Sequence, residues 1–549
     1  MSILNSNQLE RLLSDDNFAS GNFLRKVISV SDNIDDPLIY LDEPYVSIDD
    51  TKYISISLRG LRSLSEEYAS FYHEQGIVAK DVVGIYVEDG LDYMVQFLAL
   101  TSLGAVAAFL NGGLSSDIAA LYLEQLNVSG IFTTEKKRGE IKACFKKEAS
   151  KQMPIWIKGK VTPSKGNFPV VYPFEHSELD PVLLTHTSGT TGIPKAVQSS
   201  HFPYLHGVKD RLATPVQNIS RFLNSLPHAH SSSIGYIMEA TIRGCPIKVQ
   251  TQKSAEALAK SIETFRPDYV LSFPNLYVDM LRLNLNDYDF SSIFYWRSTG
   301  DAAHERHVRI MTQYGSHIAE DGSIQPGSTY IDGMGSTEMG SALFTTLRAN
   351  DSKDFDRCVG KPADYVDAQI LDEHGRIIGE DTVGFLAVKS PSVIQGYWNN
   401  TNKTEQSRVS GYWVTGDLAY KDSDGNFYHV DRITDRIETS EGMLYSLQTE
   451  ELIMKKFDII FDCSIFKVES ELGGETAILK AELMDEDLSE QQTQLLLEEV
   501  NEWLSLHKVP KLASLSISKK SVIHAPLGVT GKVLKRVLRD QSETQKLSA

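Results

Sequence analysis

Residues Thr185–Lys195 read T-H-T-S-G-T-T-G-I-P-K, with the hydroxyl side chains of Thr187, Ser188, Thr190 and Thr191 interleaved with Gly189 and Gly192. Glycine permits positive φ and close approach, so such a loop can turn several backbone N–H groups and hydroxyls onto phosphate oxygens. The spacing from Gly189 to Gly192 to Lys195 differs from G-x-x-x-x-G-K-[ST], so this is not a Walker A loop. Taken alone, the run reads more readily as a polar surface turn.

Its flanks decide the architecture. On the N-terminal side, helical periods at Leu64–Glu74 and Leu91–Leu103 alternate with β-rich runs at Val82–Val87, Ala105–Phe109 and Gly130–Phe132. A second alternation follows the run, with helical stretches at Phe202–Arg211, from Ile234, and at Ala255–Phe265. Strand-like segments lie between them at Arg221–Leu226, Ile247–Gln250 and Tyr269–Ser272. Both series predict βαβ units and parallel sheets. From about Cys358 to Val430 the texture changes to short strands with turn signals, predicting a small β-rich subdomain. A compact α+β unit follows, with a strand at Ala477–Leu483, a helix at Glu490–Leu506 and a strand at Ser514–Ile517. The expected fold is therefore α/β, a large N-terminal domain over residues 1–431 and a small α+β C-terminal domain over 432–549.

Composition narrows the function. At 549 residues the chain suggests several structural units. A formal net charge of -19 disfavours nucleic acid and anionic membrane surfaces. Cys144, Cys245, Cys358 and Cys463 are widely spaced and form no C-x-x-C pair, which suggests neither a disulfide framework nor a zinc site. The N-terminus shows no secretory pattern, and the apolar stretch Met94–Leu110 is interrupted by Gln96, Thr101, Ser102 and Gly104, predicting a buried helix running into a strand rather than a membrane span. The expected location is the cytoplasm.

Four further segments, in order, turn the first into a signature: Y-I-D-G-M-G-S-T-E-M-G around Gly335–Glu338, G-Y-W-V-T-G-D at Gly411–Asp417, D-R-I-T-D at Asp431–Asp435, and P-L-G-V-T-G-K at Pro526–Lys532. Weaker echoes are G-A-V-A-A-F-L-N from Gly104, S-T-G-D-A-A from Ser298 and V-I-Q-G-Y-W at Val393–Trp398. Together these resemble the superfamily of acyl-CoA synthetases, firefly luciferase and nonribosomal-peptide adenylation domains, over nearly the whole chain.

That resemblance implies ATP-dependent, AMP-forming activation of a carboxylic acid. It assigns Thr187, Ser188, Gly189, Thr190, Thr191, Gly192 and Lys195 to the phosphates, Glu338 to Mg2+, and Thr337 to the α-phosphate. Asp417 would accept from the ribose hydroxyls, with Arg432 beside it, and Gly300, Asp301, Ala302, Asp332, Gly333, Met334, Gly335 and Ser336 would surround adenine. Lys532 would bridge carboxylate and α-phosphate, two anions that need a cation between them in the transition state. The C-terminal domain would be mobile, turning about Arg432–Asp435 between half-reactions.

Three departures from the family pattern matter. Met334 stands where an aromatic usually stacks on adenine, and Thr434 where the hinge usually has Asp or Lys. In E-T-S-E-G-M (Glu438–Met443), Glu441 takes the place of a glycine past which the pantetheine thiol slides, with Gly442 one position late. The segment Pro227-His228-Ala229-His230 lacks the Asp that pairs with an α-ammonium, so an α-amino acid is disfavoured; His230 is either an active-site group or a structural histidine. Three outcomes follow: transfer to a thiol of CoA or of the phosphopantetheine arm of an acyl carrier protein, which is preferred; transfer to another acceptor; or a catalytically retired scaffold.

Overall fold

The computed structural model describes residues 4–162, 166–187, 194–213, 219–319, 321–353, 355–469, 474–484 and 488–519, with residues 535 and 538. The expected α/β architecture is present. A 6-stranded sheet runs in the order Ile155–Ile157, Gly130–Thr133, Val82–Tyr86, Val106–Phe109, Pro181–Thr187, Lys195–Ser200. An 8-stranded sheet runs Ala342–Arg348, Thr329–Gly335, Tyr295–Thr299, Tyr269–Ser272, Phe222–Asn224, Ile247–Val249, Pro37–Val46, Lys52–Ser57. The inner strands of both are parallel and the strands at the chain reversals antiparallel, as βαβ crossovers require.

Against the 6-stranded sheet lies the helix Asp92–Ser102, buried at every position from Asp92 to Thr101. A helix apolar on all sides belongs inside a core, so the stretch Met94–Leu110 is a buried helix followed by a strand. No helix among the described residues is long and apolar enough to cross a membrane.

The β-rich segment forms a third sheet, ordered Cys358–Gly360, Phe427–Arg432, Tyr412–Lys421, Gly384–Lys389, Asp367–Leu371. The smaller C-terminal domain is a 3-stranded sheet, Ile460–Glu469, Glu475–Leu483 and Ser514–Lys519, covered by the helices Ser446–Lys456 and Glu490–Leu506. It docks through Phe461, which packs in the core formed by Leu276, Tyr277 and Trp296. Beside it, Arg282 grips Glu482 with two bonds, Nη2 to Oε2 at 2.6 Å and Nε to Oε1 at 3.1 Å.

One helix boundary differs from the sequence reading. The helix expected from Ile234 begins at Ser231, because His230 caps it, its Nδ1 accepting from the Ser232 N–H at 3.2 Å, and the three serines form the first turn.

Candidate adenylation site

Thr187 ends one strand and Lys195 begins the next, and the two are direct partners in the antiparallel ladder. These two strand ends bracket the Ser/Thr/Gly run, of which Ser188, Gly189, Thr190, Thr191 and Gly192 lie outside the described residues. At its base the Thr187 Oγ1 is buried with no hydrogen-bond partner among the described residues. A buried hydroxyl in that state is a ready donor to a ligand oxygen.

Lys195 reaches across to the third sheet. Its Nζ donates to the Tyr397 hydroxyl at 3.2 Å and stands 3.7 Å from Glu338 Oε1, while Tyr397 donates to that same oxygen at 2.9 Å. Burial lowers the Lys195 pKa, with Glu338 pulling the other way, and burial likewise raises the Tyr397 phenol. Tyr397 is delivered by the turn Val393–Trp398, which bridges to the Lys195 strand at Val197 and bonds Ala196 through the Trp398 N–H. Glu338 is held by a turn that needs Gly340: at φ +74 a Cβ there would meet the Ser392 carbonyl at 2.0 Å. Thr337 opens this turn, its carbonyl accepting from the Gly340 N–H.

Asp417 and Arg432 are partners on adjacent antiparallel strands, with Arg432 Nη1 3.0 Å from Asp417 Oδ1. His429 Nε2 stands 3.3 Å from the same oxygen. Burial disfavours the Asp417 carboxylate, but Arg432 and then His429 overcome it and hold it well below the usual carboxylate range. Arg432 also feels Glu338 and Asp301, so these charges share one neighbourhood.

The expected adenine wall is assembled from two parallel strands. Ser298 and Asp332 are in register, and the Ser298 hydroxyl donates to Asp332 Oδ1 at 2.6 Å. Desolvation nevertheless raises the Asp332 pKa. Gly300 has φ +84, and a Cβ there would meet Phe273 Cε1 at 2.7 Å. Asp301 caps its own turn by accepting from the Ala302 N–H. Met334 packs half-buried against the third sheet's core, opposite Phe344 in the ladder. Ser336 Oγ accepts from the Met339 N–H. Gly333 and Gly335 flank Met334; Gly333 leaves room for the Arg297 guanidinium, whose Nη2 would lie 2.4 Å from a Cβ. His230 stands edge-on to Phe273 with ring centroids 5.5 Å apart, which brings it beside the Gly300 turn. Lys532 lies outside the described residues.

Glu441 sits in the turn of the hairpin Ile437–Thr439 and Gly442–Leu444. Its carboxylate accepts from the Lys511 N–H at 3.1 Å, and Gly442, at φ +128, closes the turn opposite Thr439.

The sequence reading did not single out Tyr397, His429 or Arg297. Tyr397 lay within a quoted motif, but its partners Lys195 and Glu338 are 202 and 59 residues away; the signal for Arg297 was a guanidinium inside an otherwise buried strand.

The residues present suit Mg2+ with a nucleotide: one carboxylate, Glu338, beside an ammonium and a phenol leaves coordination sites for phosphate oxygens and water. No group of three or more His, Cys, Asp or Glu side chains that could hold a metal ion occurs among the described residues.

A family model described as AMP-binding enzyme matches residues 40–398. A 3-aminoavenalumate diazotase of a Streptomyces species is 31% identical over 558 residues, covering 98% of both chains. A 2-succinylbenzoate–CoA ligase of Bacillus cytotoxicus is 22% identical over 465 residues, 84% of this chain and 88% of that one. Among solved structures, an anthranilate CoA ligase in complex with anthranoyl-AMP superposes with a TM-score of 0.80 at 16% identity, covering 97% of this chain and 98% of that one.

Proposed function

We propose, from the premise that this chain belongs to the AMP-binding enzyme family, that it adenylates a small oxyanion and passes the activated group to the amine of an aromatic acid. Making a diazonium from an arylamine needs a second nitrogen at the oxidation level of nitrous acid, so the oxyanion of this reading is nitrite. Its oxygen attacks the α-phosphorus of ATP, the bond to the bridging oxygen breaks, and pyrophosphate leaves. The arylamine nitrogen then attacks the nitroso nitrogen of the mixed anhydride, AMP departs with the N–O electron pair, and the amine loses a proton. Protonation and loss of water from the resulting nitrosamine leave an aryl diazonium ion.

The observation that carries this reading is the likeness to a diazotase running end to end through both domains. Glu441 supports it: a carboxylate in a turn where a passing thiol needs bare backbone would narrow the path and repel a thiolate.

In this reading Lys195 and the Thr187 hydroxyl bind the outer phosphates, Thr337 approaches the α-phosphate, and Asp417 takes the ribose hydroxyls while Arg432 keeps it ionised. Glu338 would hold Mg2+, which neutralises phosphate charge when bound. Tyr397 fixes Glu338 and Lys195 relative to each other. Lys532 would bring its ammonium to the α-phosphate, with the C-terminal domain, from residue 432 onward, turning about Arg432–Asp435. Gly300, Asp301, Ala302, Asp332, Gly333, Met334, Gly335 and Ser336 would form the adenine wall, and His230 would stand between nucleotide and substrate.

A second reading has an aryl carboxylate adenylated and then transferred to a thiol of CoA or a carrier protein; the likeness to 2-succinylbenzoate–CoA ligase favours it. Pyrophosphate exchange separates the two. Exchange driven by nitrite, with a product that couples to a phenol as an azo dye when an aminoaryl acid is added, is expected. Exchange driven by aryl acids alone, with AMP release accelerated by CoA, would overturn the first reading in favour of the second.

A further inference from the structure

The turn 355–358 closes with the Cys358 N–H on the Phe355 carbonyl at 2.7 Å, and both residues inside it are left-handed, Asp356 at φ +41 and Arg357 at φ +65. Glycine, asparagine and aspartate suit such a turn, so Asp356 is at home in it. An arginine is not, and a strained conformation persists only where its surroundings over-determine it. Both ends of the turn are fixed. Phe355 lies under the guanidiniums of Arg309 and Arg348, 4.4 and 4.9 Å from its ring centre, and Arg348 Nη2 donates to the Cys358 carbonyl at 3.0 Å.

Arg357, its side chain 7% exposed, meets the strand Phe427–Arg432: its carbonyl accepts from the His429 N–H at 3.0 Å, and its Nη2 donates to His429 Nδ1 at 3.2 Å. A guanidinium only donates, so Nδ1 is the acceptor and the ring carries a proton on Nε2, the atom 3.3 Å from Asp417 Oδ1. From the other side, the helix Ser446–Lys456 of the C-terminal domain holds the turn. Glu451 Oε2 stands 4.0 Å from Arg357 Nη1. Lys455, four residues on and so on the same helix face, grips Asp356 and lies 2.7 Å from Glu305 Oε2. The charges around Arg357 are thus two carboxylates, Asp332 of the N-terminal domain and Glu451 of the C-terminal domain, with the imidazole of His304. Of these only Glu451 would move with the C-terminal domain.

We propose that Arg357 is a positioning residue through which docking of the C-terminal domain sets recognition of the ribose hydroxyls. With Glu451 beside it, the guanidinium keeps its angle on His429, and His429 holds Asp417 in place. When the domain turns away, Arg357 loses Glu451 and the strained turn loses the Lys455 clamp, so His429 is no longer pinned and the ribose site relaxes. Docking and nucleotide binding then favour each other by the same factor, as linkage requires. The proposal rests on the reading that Asp417 takes the ribose hydroxyls and that the domain turns about Arg432–Asp435.

The test measures binding of AMP and of 2′,3′-dideoxy-AMP to the full-length protein by calorimetry, because the ratio of the two affinities isolates the ribose hydroxyls. The native protein is expected to prefer AMP by on the order of 10- to 100-fold, the range of hydrogen bonds to a charged acceptor, and Asp417→Asn should bring the ratio to about one. Arg357→Gly suits the backbone at this position while removing the guanidinium, and should lower the ratio by about fivefold or more. Glu451→Gln, a change confined to the other domain, should do the same, and the double variant should fall no lower than Arg357→Gly alone. A merely structural defect would weaken both ligands and leave their ratio unchanged. A ratio that Asp417→Asn abolishes but that survives in Arg357→Gly or in Glu451→Gln overturns the proposal and leaves the ribose reading standing; a native ratio near one overturns both. Losses that add in the double variant place the effect of Glu451 outside Arg357 and likewise overturn the proposal. Should Arg357→Gly fold poorly, Glu451→Gln still decides.

Discussion

His304 of the N-terminal domain and Glu451 of the C-terminal domain meet at 2.8 Å between Nδ1 and Oε2, across 147 residues of sequence. Glu451 also accepts from the Glu305 N–H, Arg357 Nη1 approaches it at 4.0 Å, and Glu450 Oε2 stands 3.9 Å from His304 Nε2. Arg357 in turn bonds His429 Nδ1 at 3.2 Å, and His429 faces Asp417. A continuous polar chain thus runs from the expected ribose-binding carboxylate to the domain junction.

This pair sets a pH dependence for docking. Burial disfavours the His304 cation, yet the hydrogen bond and charge of Glu451 overcome it and raise His304 above 6.5; burial likewise opposes Glu451, but His304 and Arg357 hold it down at about 2, against an ordinary 4.5. A raised histidine stabilises fully below 6.5 and loses that contribution as pH climbs through its raised value; a depressed carboxylate stabilises above 4.5 and loses it as pH falls toward 2. Docking should therefore be firmest between these ordinary values and loosen on the alkaline side. Fluorescence transfer between labels on the two domains should fall from pH 6 to pH 9 in the native protein and stay flat in His304→Ala.

Tyr397→Phe should weaken nucleotide use without unfolding the chain. The variant keeps the ring that packs near Trp413 but loses the hydroxyl that links Lys195 to Glu338. A hydrogen bond to a charged group contributes ~1.5–3 kcal/mol, so kcat/KM for Mg-ATP should drop by roughly 10- to 100-fold in pyrophosphate exchange. Most of the loss should appear in KM.

Asp417→Asn should act on both affinity and stability. The amide leaves Arg432 and His429 facing a neutral group inside a buried site. Breaking one partner of a buried pair is worse than lacking the pair. AMP binding should weaken on the order of 10-fold or more, from the loss of a charged acceptor, and the melting temperature should fall. An unchanged affinity for AMP would remove Asp417 from the ribose site.

Gly333→Ala tests the packing of the expected adenine wall. The added methyl would stand 2.4 Å from Arg297 Nη2 and 3.0 Å from the Ala342 Cβ, with little room on either side. Overpacking of this kind costs ~1–3 kcal/mol, and thermal melting should register it.

What the sequence made legible was the chemistry that needs fixed residue types at fixed spacing. Lys195, Glu338, Asp417 and Arg432 were each singled out from motifs, and the structure brings Lys195 to Glu338 and Asp417 to Arg432. Contacts between distant segments carried no such signal. Tyr397 reaches Lys195 across 202 positions, through a turn whose docking on Val197 no local pattern records. The strand Pro37–Val46 was missed because Asp42, Glu43 and Pro44 break its alternation, where the ladder itself shifts register between Tyr40 and Tyr45. Arg297 was passed over because a charged residue in a buried strand contradicts the pattern that defines the strand.

Glu441→Gly separates the two acceptors. In the native chain the Glu441 carboxylate accepts from the Lys511 N–H, so its removal frees that donor to water and bares the backbone of a hairpin turn already closed by Gly442. The turn is exposed, and the effect on stability should stay within about 0.5 kcal/mol. If the activated group goes to an arylamine, the variant should keep its nitrite- and amine-dependent AMP release, and CoA should still have no effect. If it goes to a thiol, opening the turn removes a negative charge from the thiolate's approach, and AMP release in the presence of CoA should rise several-fold over the native protein. Stopped assays of AMP with and without CoA, on both proteins, read the difference directly.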